Sequence, residues 1–507
     1  MGNFKNKARR ALGSDKFSSA AMTALVLAAV IALNVILYIL VNMFDLYLYS
    51  KEQNDLTLSG SSDAVLLEAD KNAAIDGNRV KISFCYTEDE LKSHDTGSFV
   101  YKTANYFLER YPNLIEIDYI NIITMRDKNG NLIEDFEKFK KDMNGKETKI
   151  SKASVIFEYG NNYRVVTDNY TTAGYADFFT IDSKGQTTSY NGEEVMAGMI
   201  SWVLSDEHKY AYFTMYHGEI SDLAFSNLLA SSGYYVDVVD LRREEVPENA
   251  DMLIISNPTA DFEKSKEGSS VRSEIDRLKT YLEGGGNLIV TLDPYASTLP
   301  VLEEFLGEWG ISLKCSDSGE RIIVKDRQNA ITADGFTLVT DIAKGAVADR
   351  ISEKVTAYSN GNVMMKLASV IEASGSAQPV LVSSPSSVGE AGGATVLSDG
   401  SFCVGAASEQ TFGEKTGRMF VLSSVYGATS DNLVTRGYSN RDFFYALFDT
   451  FCGAGNMPYG SKVILYDTET LQNLKLGTAR VYTSLIMLVP AALFVVGTVT
   501  VVRRKNR

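Results

Sequence analysis

Two short apolar runs, DMLIISN at residues 251–257 and NLIVTLD at residues 287–293, decide the fold. Both are strand-length and rich in aliphatic residues, so each reads as a strand buried on both faces. Between them, Val271, Ile275, Leu278 and Leu282 fall on one face of a helix, and Gly284 is placed to cap its C-terminus. Strand, amphipathic helix, strand implies neighbouring parallel strands joined by a crossover. The same alternation continues upstream, with strands expected at 210–216 and 234–241 around a helix at 220–230. Downstream, a helix is expected at 300–309. Together these segments predict an α/β fold with a parallel sheet covered by helices on both faces.

Further out the pattern changes. After about residue 315 it loosens, with strands expected at 380–383 and 418–422. GEAGG (389–393), with its Ser-rich lead-in, reads as an exposed loop. A helix at 440–451 carries Phe443, Phe444, Leu447, Phe448 and Phe451 on one side and should dock on the sheet. Upstream lies a smaller α/β unit. It has strands at 79–86 (RVKISFCY), 114–123, 153–159 and 163–166, and helices at 99–111 and 193–204. The polar stretch 126–149 reads as a charged loop with room for one short helix.

The chain has 507 residues, enough for about three domains. Its 64 acidic residues against 49 basic ones exclude a general nucleic-acid binder, which needs basic surface to neutralise phosphates. Cys85, Cys315, Cys403 and Cys452 are too far apart for a CxxC pair and read as small buried apolar residues. Charge distribution is more informative than net charge. Residues 17–44 carry no charge, and neither do residues 481–502 (VYTSLIMLVPAALFVVGTVTVV). A helix of about 22 residues reaches about 33 Å, enough to cross the hydrocarbon core of a bilayer. Lys5, Lys7, Arg9, Arg10 and Lys16 precede the first segment, and Arg503, Arg504, Lys505 and Arg507 follow the second. The positive-inside rule then places both termini in the cytoplasm and residues 45–480 outside the cell. That exterior part holds 40 basic and 63 acidic residues. Asn34, Asn42 and Pro490, inside the two segments, mark possible contacts with partner helices.

These features divide the chain into a basic tail (1–16), a transmembrane helix (17–44), and an N-terminal extracytoplasmic α/β domain (45–205). A central α/β domain (206–460), a juxtamembrane segment (461–480), a second transmembrane helix (481–502) and a basic tail (503–507) follow.

Spacing-specific catalytic motifs are missing from the sequence. There is no GxxxxGK[ST], GxSxG or HExxH, and Gly284–Gly286 precedes a strand where a dinucleotide loop would follow one. The expectation is a non-enzymatic chain with no cofactor and no metal. One constellation stands out. Parallel α/β sheets take ligands beyond the carboxyl ends of their strands, and those ends carry His217 and Glu219, Asn257 and Asp261, and Asp293. One imidazole and three carboxylates could coordinate a metal, do acid–base work or bind a ligand. Helix capping and turn formation use the same residue types.

FTMYHGE (213–219), NLIVTLDP (287–294) after a triple glycine, NRDFFYALF (440–448), the closing LVPAALFVVGTVTVVRRKNR and DLTLS (55–59) occur in an order that resembles the GldG-like family. These are gliding-motility-associated auxiliary components of an ABC transport system. The resemblance spans nearly the whole chain. It implies a membrane-anchored extracytoplasmic protein working beside a separate ABC ATPase and permease. Its central domain would be similar to flavodoxin and to class I glutamine amidotransferases, without the nucleophilic cysteine elbow of the latter. Two positions depart from the family pattern: Met215-Tyr216 stands before His-Gly-Glu where Thr-Gly is usual, and Leu422-Ser423-Ser424 replaces a Gly-Asp-Ser turn. The transported small molecule or polymer is not specified by the sequence. Two other readings stay open: an exported hydrolase using His217 and Asp293, and a cell-surface interaction protein without a transporter.

Overall fold

Residues 80–166 form a four-stranded sheet in the order β2, β1, β3, β4, from β1 (Val80–Phe84), β2 (Ile115–Tyr119), β3 (Val155–Tyr159) and β4 (Asn162–Val166). β1 runs parallel to β2 and antiparallel to β3. In this computed structural model the described residues run from 57 to 465, except 61–62, 95, 134–135, 167–177, 182–186, 220–222, 265–271, 434–436 and 454–456. The two charge-free segments therefore lie outside the described residues. Among the described residues no helix is long and apolar enough to cross a membrane.

Helices α1 (Asp63–Asp76), α2 (Glu88–Ser93) and α3 (Gly97–Arg110) surround β1 and β2 in the chain, and α4 (Gly192–Leu204) follows β4. Val80, Ile82, Phe84, Phe107 and Phe157 pack with Met196, Ile200 and Trp202 of α4 in one core. The strand expected at 114–123 ends at Tyr119, because Asn121 turns back to bridge Arg126. The charged loop after it holds one 3-10 turn, Phe136–Lys140. A small sheet contains β5 (Phe179–Ile181) and β6 (Thr187–Tyr190).

The larger sheet has nine strands. Five run parallel: β7 (Lys209–Thr214), β8 (Tyr234–Val239), β9 (Met252–Ser256), β10 (Asn287–Thr291) and, later in the chain, Lys415–Leu422. Every residue of β9 and β10 is buried, as expected for strands covered on both faces. Alternate residues serve different layers. Ile254 and Ile289 belong to a core shared with α5 (Leu223–Ser231), while Leu253, Ile255, Leu288 and Val290 pack against α6 (Glu274–Glu283) and α7 (Pro300–Glu308). α6 begins with a capping box, in which Ser273 Oγ accepts from Asp276 N and the Asp276 carboxylate accepts from Ser273 N. Gly284 is its C-cap, as expected, but in a right-handed conformation. The left-handed residue of the triple glycine is Gly285, with φ 92°.

The remaining strands correct the all-parallel expectation. After β11 (Ile311–Leu313) and β12 (Ile323–Asp326) come β13 (Thr337–Ile342), helix α8 (Ala346–Thr356) and β14 (Val363–Lys366). They are followed by β15 (Ile371–Ala373), β16 (Ala377–Val382), β17 (Ser387–Ala391), β18 (Ala394–Leu397), β19 (Cys403–Phe412) and β20 (Lys415–Leu422). The large sheet runs β14-β13-β16-β19-β20-β10-β9-β7-β8, and its first four strands are paired antiparallel. β20 is the seam, antiparallel to β19 and parallel to β10.

Residues 389–393 are a second correction. Gly389–Ala391 belong to β17, which pairs with β12, and only Gly392 and Gly393 form the turn into β18. Gly389 packs so closely that a Cβ there would stand 2.6 Å from Ile322 Cγ2, so this glycine serves packing and not a turn. After a short α9 (Ser430–Leu433), helix α10 (Asn440–Cys452) docks as expected. Phe443, Phe444, Leu447, Phe448 and Phe451 are buried in the core beneath Phe420. A final short strand, β21 (Ile464–Leu465), pairs with β6. All these elements belong to one compact unit.

Candidate functional site

The chain leaves β7 for β8 on one side and returns to β9 on the other, so the strand order reverses between β7 and β9. This is the topological switch point, where an open α/β sheet presents its crevice. The loop after β7 carries His217 and Glu219, and the loop after β9 carries Asn257 and Asp261. The two loops are clasped together. The amides of Thr259 and Ala260 both donate to the His217 carbonyl at 2.8 Å. Gly218 has φ 67°, and a Cβ on it would stand 2.1 Å from Thr259 Oγ1, so only glycine fits.

His217 sits under this clasp with its side chain 4% exposed. Its ring stacks on Phe262 at 3.9 Å between centroids and 7° between planes. Nδ1 is 3.1 Å from Glu219 Oε1, and Nε2 is 2.9 Å from Glu274 Oε1. Burial pushes the imidazole towards neutrality, but hydrogen bonds and charge attraction from the two carboxylates outweigh it and raise its pKa to about 9. Glu219 is lowered in turn: burial opposes its charge, but His217 and the hydrogen bonds it accepts prevail. Its Oε2 accepts from His217 N at 2.6 Å and its Oε1 from Thr214 Oγ1 at 3.0 Å. Glu274 Oε2 accepts from Glu263 N at 2.7 Å. His217 therefore lies between two carboxylates that favour its charged form, with each ring nitrogen facing one of them.

Of the five expected site residues, the structure joins His217 to Glu219 and sets Asn257 beside them on the neighbouring strand end. Asn257 is buried with φ 50°. Its amide donates to Thr291 O, while its Oδ1 finds no partner among the described residues. Asp261 and Asp293 have other roles. Asp261 caps α7, accepting from Val301 N at 2.9 Å and Leu302 N at 3.1 Å. Asp293 accepts from Tyr295 N in a tight turn, and Arg321 Nη1 donates to its carbonyl. Glu274 was not among the expected residues. The Ser273–Asp276 capping box announces the helix start in the sequence, and Glu274 is the first helical residue, facing the strand ends.

Tyr216, between β7 and His217, is exposed and left-handed at φ 82°, and the Arg242 guanidinium lies 4.2 Å above its ring. Asp240 holds Arg242 in place at 2.9 Å. Tyr216 and Asn257 are two of four non-glycine residues with positive φ among those described, and they stand in the loops after β7 and β9. Such strain persists where the surroundings over-determine the backbone, often at binding sites.

Among the described residues no cluster of three His, Cys, Asp or Glu is arranged to hold a metal. Burial pushes the thiols of Cys85, Cys403 and Cys452 up to about 12, as expected of inert small residues, but Cys315 is exposed where the chain turns back to bridge Arg321, which corrects the expectation that all four are buried. Two cavities lie away from these loops. One of about 240 Å³ on the N-terminal sheet is lined by Lys81, Lys138 and Glu158, but Lys81 is neutralised by Asp118 and Lys138 by Glu158. The other, of about 400 Å³, lies along residues 325–335.

No family model matches the sequence, and no curated protein matches it. Solved structures do match at low similarity. The mmIFT52 N-terminal domain is 15% identical, with a TM-score of 0.36 over 48% of this chain and 97% of that one. A ThuA-like protein from Bacteroides uniformis is 12% identical, with a TM-score of 0.31 over 48% of this chain and 91% of that one. PurLQS from Thermotoga maritima is 12% identical, with a TM-score of 0.29 over 48% of this chain and 99% of that one. The fold assignment rests on strand order and pairing, not on these neighbours.

Proposed function

We propose that the chain is a non-catalytic, membrane-anchored auxiliary subunit of an ABC transport system, with residues 45–480 outside the cell. It would work beside a separate ATPase and permease, as the resemblance to the GldG-like family implies. The single observation that carries the non-catalytic part is the placement of His217: its ring is buried, and its two nitrogens face Glu219 at 3.1 Å and Glu274 at 2.9 Å inside the fold. His217 ties two loops and a helix start together beneath a strained, exposed surface at Tyr216, which suits recognition better than turnover. The anchoring part is supported by the two charge-free segments and their basic flanks. The hydrolase reading would need His217 free and Asp293 beside it, and Asp293 is instead engaged in its own turn.

Purification from membranes in a mild detergent tests the proposal. An ABC ATPase and a multi-span permease should co-purify with the tagged chain. Recovery of the chain alone, from cells shown to make such a transporter, would overturn the auxiliary role.

A further inference from the structure

Glu193, in the first turn of α4, receives both ends of the described chain on one carboxylate. Ser59 donates to Oε1 through its amide at 2.5 Å and its hydroxyl at 2.8 Å. Lys462 donates its amide to Oε2 at 3.0 Å. The Lys462 ammonium then reaches across to Thr57, 2.9 Å from both its carbonyl and its hydroxyl. β21, which starts two residues after Lys462, adds to the edge of β6, with Ile464 opposite Tyr190. The next residue, Glu194, is buried in an ion pair with Arg441 of α10 and accepts from Ser231 Oγ of α5 at 2.7 Å. Two consecutive glutamates thus bind the two chain ends, the N-terminal core and two helices of the large sheet to one helical turn. Ser59 and Lys462 lie 134 and 269 residues from Glu193. The carboxylate is 8% exposed as a residue, so its hydrogen bonds are shielded from water.

We infer that Glu193 is a positioning residue that couples the two membrane-proximal ends to each other and to the large sheet. The inference that these ends face the membrane rests on the proposed function; the clasp itself does not. A carboxylate suits the role because it only accepts: one oxygen holds each end. A partner that displaces one membrane segment must then carry the other with it or break the clasp.

Hydrogen exchange on the full chain in detergent tests this, read at 57–60, at 461–465 and, as a control for folding, in α10. Glu193→Ala should raise exchange at both ends at least tenfold while α10 stays protected. Glu193→Gln keeps one acceptor oxygen and places an NH2 opposite the other donor, so it should release one end only. Unchanged protection at both ends in Glu193→Ala would overturn the clasp. If that variant unfolds as a whole, Lys462→Ala reads the same link at the surface: faster exchange at 57–60 supports the clasp, and unchanged exchange there overturns it. None of these readouts depends on membrane topology, so a failed clasp and a failed anchor reading remain distinguishable.

Discussion

The large sheet is two halves sewn together along β20. On one side β20, β10, β9, β7 and β8 run parallel, connected by helices, with β9 and β10 wholly buried. On the other side β19, β16, β13 and β14 run antiparallel, and β16 meets β19 with register shifts near Pro379 and Leu381. The parallel half ends in loops that lock into a charged core at His217. The antiparallel half relies on close backbone approach, as at Gly405, where a Cβ would stand 3.2 Å from Leu381 Cβ, and Gly389 in the adjoining small sheet. One half is held at its strand ends by electrostatics, the other along its strands by packing, so each should fail under a different perturbation.

Removing the imidazolium should have the largest effect. His217→Ala leaves Glu219 and Glu274 buried without their shared cation, and breaking a buried pair this way costs about 3–5 kcal/mol. Denaturant unfolding of the full chain measures it. A loss below about 1 kcal/mol would mean that the carboxylates are not relying on His217.

The same group sets a pH dependence confined to the parallel half. The folded pKa of His217, about 9, lies above its ordinary value of 6.5. Its contribution is therefore fully present below pH 6.5 and is lost as pH rises through 9, by at most about 3 kcal/mol. The melting temperature should fall over that window, and the fall should shrink in His217→Ala. Glu219, lowered in the folded state, acts in the opposite direction: its contribution is present above the ordinary carboxylate pKa and is lost on acidification. A wild-type melting temperature that is flat from pH 6.5 to 9 would contradict a charged His217.

Packing perturbations should register around the antiparallel half. Gly389→Val drives a side chain into Ile322 and Leu397 and should cost about 1–3 kcal/mol with no change in the pH profile. An unperturbed stability would instead fit a loop at 389–393. The smallest expected effect belongs to Asp261→Ala. It removes a helix cap from α7 and should cost about 1 kcal/mol without altering the pH dependence. A larger, pH-sensitive loss would place Asp261 in the His217 network.

The two halves also differ in what the sequence discloses. Strands 251–257 and 287–293 are legible because burial on both faces leaves an unbroken apolar run, and the helix between them carries its own cap signals. β17 is illegible because its glycine and Glu390 suggest a loop to any local reading. The closeness of Ile322 and Leu397, which makes that glycine a packing residue, is a tertiary fact. At the switch point His217 is legible as an unusual residue at a strand end. Asp261 and Asp293 share its location, but their backbone partners are set by the exact turns they close. Glu274 is masked by its position, since an acidic residue in a first helical turn is favoured by the helix dipole anyway. Glu193 is masked in the same way, and its partners are far away in sequence.

Everything proposed about partners depends on where the large sheet lies relative to the membrane. Impermeant maleimide labelling of intact cells measures this most directly, in a chain carrying Cys315→Ser to remove the exposed native thiol. A cysteine at Glu414, exposed in the turn between β19 and β20, should label in intact cells, while one at Asn6 should label only after permeabilisation. Labelling at Asn6 in intact cells, with Glu414→Cys protected until the membrane is opened, would contradict the account.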